Sequence, residues 1–243
     1  MSGRITAATT LRVLQQIRHD PRTIALLLVV PGALLWLLSA MLGEPEFNRL
    51  GAPMVGLFPF ISMFLVTSIA MLRERTTGTL ERLMTMPMAK LDLLAGYALA
   101  FAVIAVVQAA AVSAVAIGLL DLHVAGSTAL VVALAVLNAL LGMALGLFLS
   151  AFAATEFQAV QFMPAFLLPQ LLLCGILAPR DSMSDVLRWL SAVLPMTYAY
   201  DALGRVAAGD GLRGDVAVDV AVLVAAALAS LALGAATLRR RTA

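Results

Sequence analysis

Pro53-Met54-Val55-Gly56-Leu57-Phe58-Pro59-Phe60-Ile61-Ser62-Met63-Phe64-Leu65-Val66-Thr67-Ser68-Ile69-Ala70-Met71-Leu72 carries no charged side chain. It runs directly into Arg73-Glu74-Arg75-Thr76-Thr77-Gly78-Thr79-Leu80-Glu81-Arg82. A bilayer core about 30 Å thick takes about 20 apolar residues as a helix, and 53–72 has that length. The stretch therefore predicts a membrane span that ends at Leu72, followed by a compact patch of charge and hydroxyl groups just outside the lipid.

The rest of the chain agrees. Of 243 residues, 62% are hydrophobic and 12% are charged, with a mean hydropathy of +1.00. Soluble domains average about 25% charged residues, so lipid is the solvent for this surface. Apolar runs near 23–43, 53–72, 92–120, 125–153, 158–178 and 216–238 predict six spans in one domain covering 1–243. They lack the period-2 alternation of barrel strands, and backbone groups in lipid must be satisfied internally, so the predicted fold is all-α. The first run is longer than the roughly 7–15 residues of a signal-peptide core and is expected to stay as a helix.

Orientation follows the basic residues. Arg4, Arg12, Arg18 and Arg22 precede the first run; Arg73, Arg75, Arg82 and Lys90 lie between the second and third; and Arg239-Arg240-Arg241 follow the last run. Both termini are expected on the cytoplasmic side. Glu44, Glu46 and Arg49 then fall in a first outer loop, and Asp121 and His123 in the next. Residues 4–20 place Ala7, Leu11, Leu14 and Ile17 on one helical face, which predicts an interfacial helix turned into the first span at Pro21. Residues 179–215 are too apolar for a solvated loop. They predict short helices re-entering the outer leaflet, capped at Ser182 or Ser184 and broken at Pro195, with Trp189, Tyr198 and Tyr200 at the boundary.

Several chemistries are excluded. Lys90 is the only lysine and follows Met88-Ala89, so no phosphate-binding loop exists. Zinc-protease and serine-hydrolase motifs are missing, and the lone Cys174 and distant His19 and His123 make no metal site. A charge of +2 gives no nucleic-acid surface. The spans as drawn are expected to hold no ionisable group in their interiors, which disfavours an ion-coupled carrier. Their polar groups are Thr67, Ser68, Gln108, Asn138, Gln161 and Gln170, with Gly142-x-x-x-Gly146 as a close-packing pattern. A lipid-modifying enzyme would need a reactive cluster. The nearest approach, Asp201, Arg205, Asp210, Arg213 and Asp215 beside Tyr198, has no nucleophile or metal arrangement.

Arg73 to Leu83 followed by Met86-Pro87 resembles the cytoplasmic signature of type-2 ATP-binding-cassette (ABC) exporter permeases, and more narrowly the daunorubicin-resistance-type drug exporters. A second block is similar too: Pro169-Gln170, then Cys174-Gly175-Ile176-Leu177-Ala178-Pro179-Arg180, then Leu194-Pro195-Met196-Thr197-Tyr198-Ala199-Tyr200-Asp201-Ala202-Leu203. Gly204-Arg205 departs from the pattern, where relatives place a basic residue directly after the Ala-Leu pair.

The resemblance implies a permease dimer in a bacterial cytoplasmic membrane, docked on two copies of a separate ATPase subunit that holds the ATP and Mg²⁺, with no cofactor on this chain. It implies that the loop 73–90 is a coupling helix meeting the ATPase through Glu74, Arg75, Gly78, Thr79, Glu81 and Arg82. A lipophilic drug-like or lipid substrate would pass between the two copies along Phe58, Phe60, Met63, Phe64 and Thr67 of the second span and Phe162, Phe166 and Gln170 of the fifth. Pro195, Tyr198 and Asp201 would form an outer gate. The competing reading of 73–82 is a solvated turn that only sets topology. The competing reading of the aromatic positions is helix packing or lipid contact.

Overall fold

The structure, a computed structural model, describes residues 3–78 and 90–237. Among these residues every regular element is helical. The elements are α1 (Gly3–Arg18), α2 (Pro21–Met41), α3 (Glu44–Thr76), α4 (Lys90–Gly118), α5 (Thr128–Leu149), α6 (Glu156–Leu173), a short 3₁₀ turn (Arg180–Ser182), α7 (Asp185–Val193), α8 (Pro195–Ala208) and α9 (Asp215–Thr237). Five helices are long and apolar enough to cross a membrane: α2, α3, α4, α5 and α9.

Local chemistry sets the starts. Asp20 caps α2: its carboxylate accepts the Thr23 N–H at 3.2 Å and the Thr23 hydroxyl at 2.6 Å, and Pro21 occupies the first turn. Those Thr23 bonds hold the Asp20 carboxyl below its usual range. Ser127 caps α5 and Thr155 caps α6. The Gln158 side chain reaches back to the Ala154 N–H at 2.8 Å, a close relative of the capping box.

The centre of the bundle is α3 packed along α5. A Cβ on Gly142 would lie 2.3 Å from the Phe60 carbonyl oxygen, and one on Gly146 would lie 2.1 Å from Thr67 Oγ1. The Gly-x-x-x-Gly pattern therefore brings the two backbones together, as its spacing predicts. Around this pair, α2 lies on α3 and α4, α1 on α4, α9 on α5 and α8, and α6 on α3. Pro31 inside α2 cannot donate to the Leu27 carbonyl, and Gln108 Nε2 of α4 does so instead at 2.8 Å. A proline in a span is tolerated when a neighbouring side chain satisfies the freed carbonyl in this way.

Three expectations are corrected. Residues 44–52 are the first turns of α3, not an outer loop; Pro45 in the first turn and Glu44 and Glu46 at the N-terminus favour a helix there. With 33 residues, α3 is about 50 Å long, and it continues through Arg73–Thr76. The fifth run stops at Leu173 instead of 178, because Cys174 closes the helix and Gly175 turns away at φ +106. The resulting α6 has 18 residues with two prolines, three glutamines and Glu156, about 27 Å of helix, and it falls outside the five candidate spans.

In α1 the inward face is Thr9 and Val13, while Leu11 is 59% exposed. Thr9 sits against Gly96, where a Cβ would approach to 2.5 Å, and Thr10 Oγ1 donates to the Gly96 carbonyl at 3.1 Å. Small residues allow a closer crossing here than the leucines would. The third correction is Asp219. It lies one turn inside α9 and is buried, so one span does carry an ionisable group.

Candidate functional site

Three consecutive residues close α3, and each bonds a different helix. Arg73 makes a two-pronged pair with Glu156 of α6, Nε to Oε1 at 2.6 Å and Nη2 to Oε2 at 3.1 Å. Glu74 accepts from Arg12 of α1 at 3.4 Å. Arg75 Nη1 donates to the Ser150 carbonyl at the end of α5, at 3.4 Å. Successive side chains on a helix point about 100° apart, so one turn reaches three directions.

The Glu74 branch is the most enclosed. Its side chain is 11% exposed and that of Arg12 is 34% exposed. The Arg12 guanidinium also donates to the Tyr97 hydroxyl of α4 and lies 5.5 Å from the centre of the Tyr97 ring, within cation–π range. Arg12, Glu74 and Tyr97 thus clamp α1, α3 and α4 where α3 ends. By contrast the Arg73 and Glu156 side chains are 61% and 52% exposed, and such a pair is worth about 0–1 kcal/mol. Thr77 caps α3 through its N–H and hydroxyl, both bonded to the Arg73 carbonyl. Gly78 follows at φ +72, a left-handed conformation that suits glycine. Thr79, Glu81 and Arg82 lie outside the described residues.

The expected pathway residues divide. Phe60, Met63, Phe64 and Thr67 are buried inside this chain. Thr67 Oγ1 bonds the Met63 carbonyl at 2.6 Å and the Met143 carbonyl at 3.3 Å. Phe60 and Phe64 meet Met163, Phe166 and Leu167 in a small apolar gap between α3 and α6, where Phe166 is 39% exposed. Phe162 packs with Leu72 and Ala159. Gln170 is fully buried; its Nε2 bonds the Phe166 carbonyl at 3.2 Å and its Oε1 accepts the Met196 N–H at 3.3 Å. Phe58 turns the other way, into a cavity of about 710 Å³ bounded by α1, α2, α3 and α4. That cavity is apolar along α2 and α3, with Gln16, Asp20, Arg73, Glu74 and Thr77 at one end.

At the far end of the bundle, α7 and α8 meet at Leu194. Pro195 opens α8, and Thr197 Oγ1 donates to the Ser191 carbonyl at 2.8 Å. Tyr198 Oη bonds the Ala192 carbonyl at 2.6 Å, Asp201 pairs with Arg180 at 3.3 Å, and Arg205 pairs with Asp215 at 2.8 Å. Burial pushes the Asp201 carboxyl above its usual range, against the pull of Arg180 and Arg205. Ser184 occupies the cap position of α7 without a side-chain cap bond. The outward face of α7 is apolar, with Val186, Trp189 and Val193 each more than 60% exposed. Among the described residues no cluster of His, Cys, Asp or Glu could hold a metal ion.

A helical membrane bundle with a charged junction at one end and a braced helix pair at the other defines a class, and the comparisons name it. Residues 6–206 match the family model described as ABC-2 type transporter, and the chain belongs to that family of multi-pass membrane proteins. It is similar to ABC transporter G family member 20 of Dictyostelium discoideum, 30% identical over 66% of this chain and 22% of that protein. It is also similar to the probable multidrug ABC transporter permease YbhR of Escherichia coli K12, 30% identical over 61% of this chain and 40% of that protein. The match thus covers less than half of the whole length of either relative.

Sequence reasoning found the charged segment but missed Arg12 and Tyr97, which act across 62 and 85 positions. No local pattern signals pairs so distant. Asp219 was available from the sequence alone, as a carboxylate within an apolar window.

Proposed function

We propose that this chain is the permease subunit of an ATP-driven ABC exporter in a bacterial cytoplasmic membrane. In this reading two copies form the pathway and two separate ATPase subunits bind ATP and Mg²⁺. Both termini are cytoplasmic, α6 serves as a sixth, short span, and residues 179–215 re-enter the outer leaflet. Segment 73–90 is the coupling element.

The observation that carries this reading is the junction at 73–75. A segment anchored at its root to α1, α5 and α6 delivers a push on that segment to three helices together. The contact surface for the ATPase is assigned to Gly78 and the residues that follow, including Thr79, Glu81 and Arg82, with Glu74 held inward by Arg12. The unpartnered face of α6, which carries Phe157, Gln161, Pro164 and Leu168, supports the seam between copies, since Gln161 is poorly suited to lipid. The apolar lining of the cavity beside Phe58 supports a lipophilic drug-like or lipid substrate. The daunorubicin-resistance-type branch rests on sequence resemblance.

The test is biochemical. The purified chain should hydrolyse no ATP, and co-expression with the phosphate-loop ATPase encoded alongside should give a complex whose ATPase and transport activities rise together. Hydrolysis by the pure chain at about 1 per second or more, within the enzymatic range, would sink the reading. For topology, single cysteines replacing Arg18 and Gly211 in a Cys174→Ala background should respectively resist and react with an impermeant thiol reagent in intact cells.

Asp219 favours one second reading, an ion-coupled carrier, because a buried carboxylate in a span is where a coupling ion would bind. Transport that persists without any ATPase and collapses both in Asp219→Asn and on dissipating the proton gradient would select it.

A further inference from the structure

Between α3, α4, α5 and α9, at the α1 end of the bundle, lies a second cavity of about 500 Å³. Small residues make the space: Ala95 and Ala98 from α4, and Gly234 and Ala235 from α9. Its flank opens outward beside Leu99, 51% exposed, and Leu233, 52% exposed. Among the described residues one cation reaches into this apolar groove, Arg75. Of the five N–H donors of a guanidinium, Arg75 uses one on the Ser150 carbonyl at 3.4 Å, and its Nε is buried with no partner. Among the described residues no carboxylate lies within ion-pair distance of it.

We propose that this groove holds one anionic glycerophospholipid, with its phosphate on the Arg75 fork and an acyl chain along α4 and α9. Three features favour that occupant. A planar guanidinium matches a phosphate with two parallel bonds. The unsatisfied Nε supplies a donor that the protein leaves unused. The groove opens on the flank of the helices, so its occupant enters from the bilayer and brings its own apolar tail. The extra negative charge of an anionic headgroup is balanced at Arg75, whereas the positive group of a zwitterionic lipid finds no carboxylate among the described lining residues. The assignment to the inner leaflet, where anionic lipids concentrate, rests on the topology proposed above.

The probe is the intact chain, purified in detergent, reconstituted into nanodiscs of equal phosphatidylglycerol and phosphatidylcholine, re-extracted and washed. Retained lipid is then counted by mass spectrometry. Wild type should retain phosphatidylglycerol in excess. Arg75→Gln should lower the ratio of the two lipids about fivefold, the factor contributed by one basic residue at an anionic surface, while Arg75→Lys keeps most of it. Ala98→Phe, with Arg75 intact, should lower phosphatidylglycerol retention by filling the tail groove. That variant stands as the independent test if Arg75→Gln does not yield folded protein.

An unchanged lipid ratio in Arg75→Gln, or unchanged retention in Ala98→Phe, overturns the proposal. So does displacement of the lipid by millimolar inorganic phosphate, which would mark a site for free anions. Nanodiscs expose both leaflets equally, so a reversed topology would appear in thiol labelling and leave this binding result intact.

Discussion

The two ends of the bundle are joined by different chemistry. At the end bearing α1, helices meet through long charged side chains: Arg12 to Glu74, Arg73 to Glu156, Arg75 to the Ser150 carbonyl. At the other end close contacts to the backbone join the side-chain pairs Arg180–Asp201 and Arg205–Asp215. The Ala125 N–H donates to the Ala207 carbonyl at 2.9 Å, the His123 N–H to Asn48 Oδ1 at 2.9 Å, and a Cβ on Gly126 would stand 2.0 Å from the Val206 carbonyl oxygen. Exposed ion pairs are weak and tolerate re-aiming; close backbone contacts do not. Under the function proposed above, the charged end is the one expected to move and the other the one expected to keep its geometry. That is the arrangement an exporter needs if force enters beside Gly78.

The largest expected effect tests the fixed end. Gly126→Val should clash with the Val206 carbonyl and force α8 away from α5, destabilising by about 1–3 kcal/mol or more, as overpacking does. The measurement is the fraction of monodisperse protein surviving a temperature ramp in detergent. A ramp identical to wild type would show that this end is loose after all.

Glu74→Gln should have a smaller effect on stability and a large one on coupling. The pair is partly exposed on the Arg12 side, so the loss is about 1 kcal/mol. Transport should fall severalfold while expression holds, and a double-mutant cycle with Arg12→Gln should show a non-additive term of about 0.5 kcal/mol or more. Additive effects would detach α1 from the clamp.

The smallest effect belongs to Arg73→Gln, within about 1 kcal/mol and vanishing at high ionic strength, because both partners are more than half exposed. A loss that persists in molar salt would mean that this pair also is a fixed joint.

Much of this division was legible in the sequence and some was not. Apolar runs located the helices, Pro21 marked a start and Pro195 a break, and Gly142 and Gly146 announced a close helix crossing without naming α3 as the partner. The ends were less legible. Glu44-Pro45-Glu46 looks like a polar loop when hydropathy alone is weighed, although acidic residues and proline are also first-turn chemistry. The fifth run was extended through Gly175, whose positive φ ends it. At the candidate site, the charge density of 73–82 identified the junction, but helical spacing cannot say which element receives each charge. Arg75 was read as facing a soluble partner; the structure turns it toward Ser150 and the groove beside α9. Burial of Asp219 between α9 and its neighbours is a tertiary fact, even though its position was visible.

The three-way junction also constrains how the chain can vary in length. Arg73, Glu74 and Arg75 find α6, α1 and α5 because the helix delivers each at its own angle. One residue inserted between Thr67 and Leu72 would rotate all three by about 100° and offer each partner the wrong side chain, Glu156 meeting Leu72, Arg12 meeting Arg73 and the Ser150 carbonyl meeting Glu74. A deletion would do the same in the opposite sense. Substitutions here test one branch at a time, whereas a single-residue change in spacing disables every branch at once. The distance from the tight crossing at Gly146 to the junction is therefore a fixed ruler, and length variation among functional chains of this design is expected beyond Gly78 and not before it.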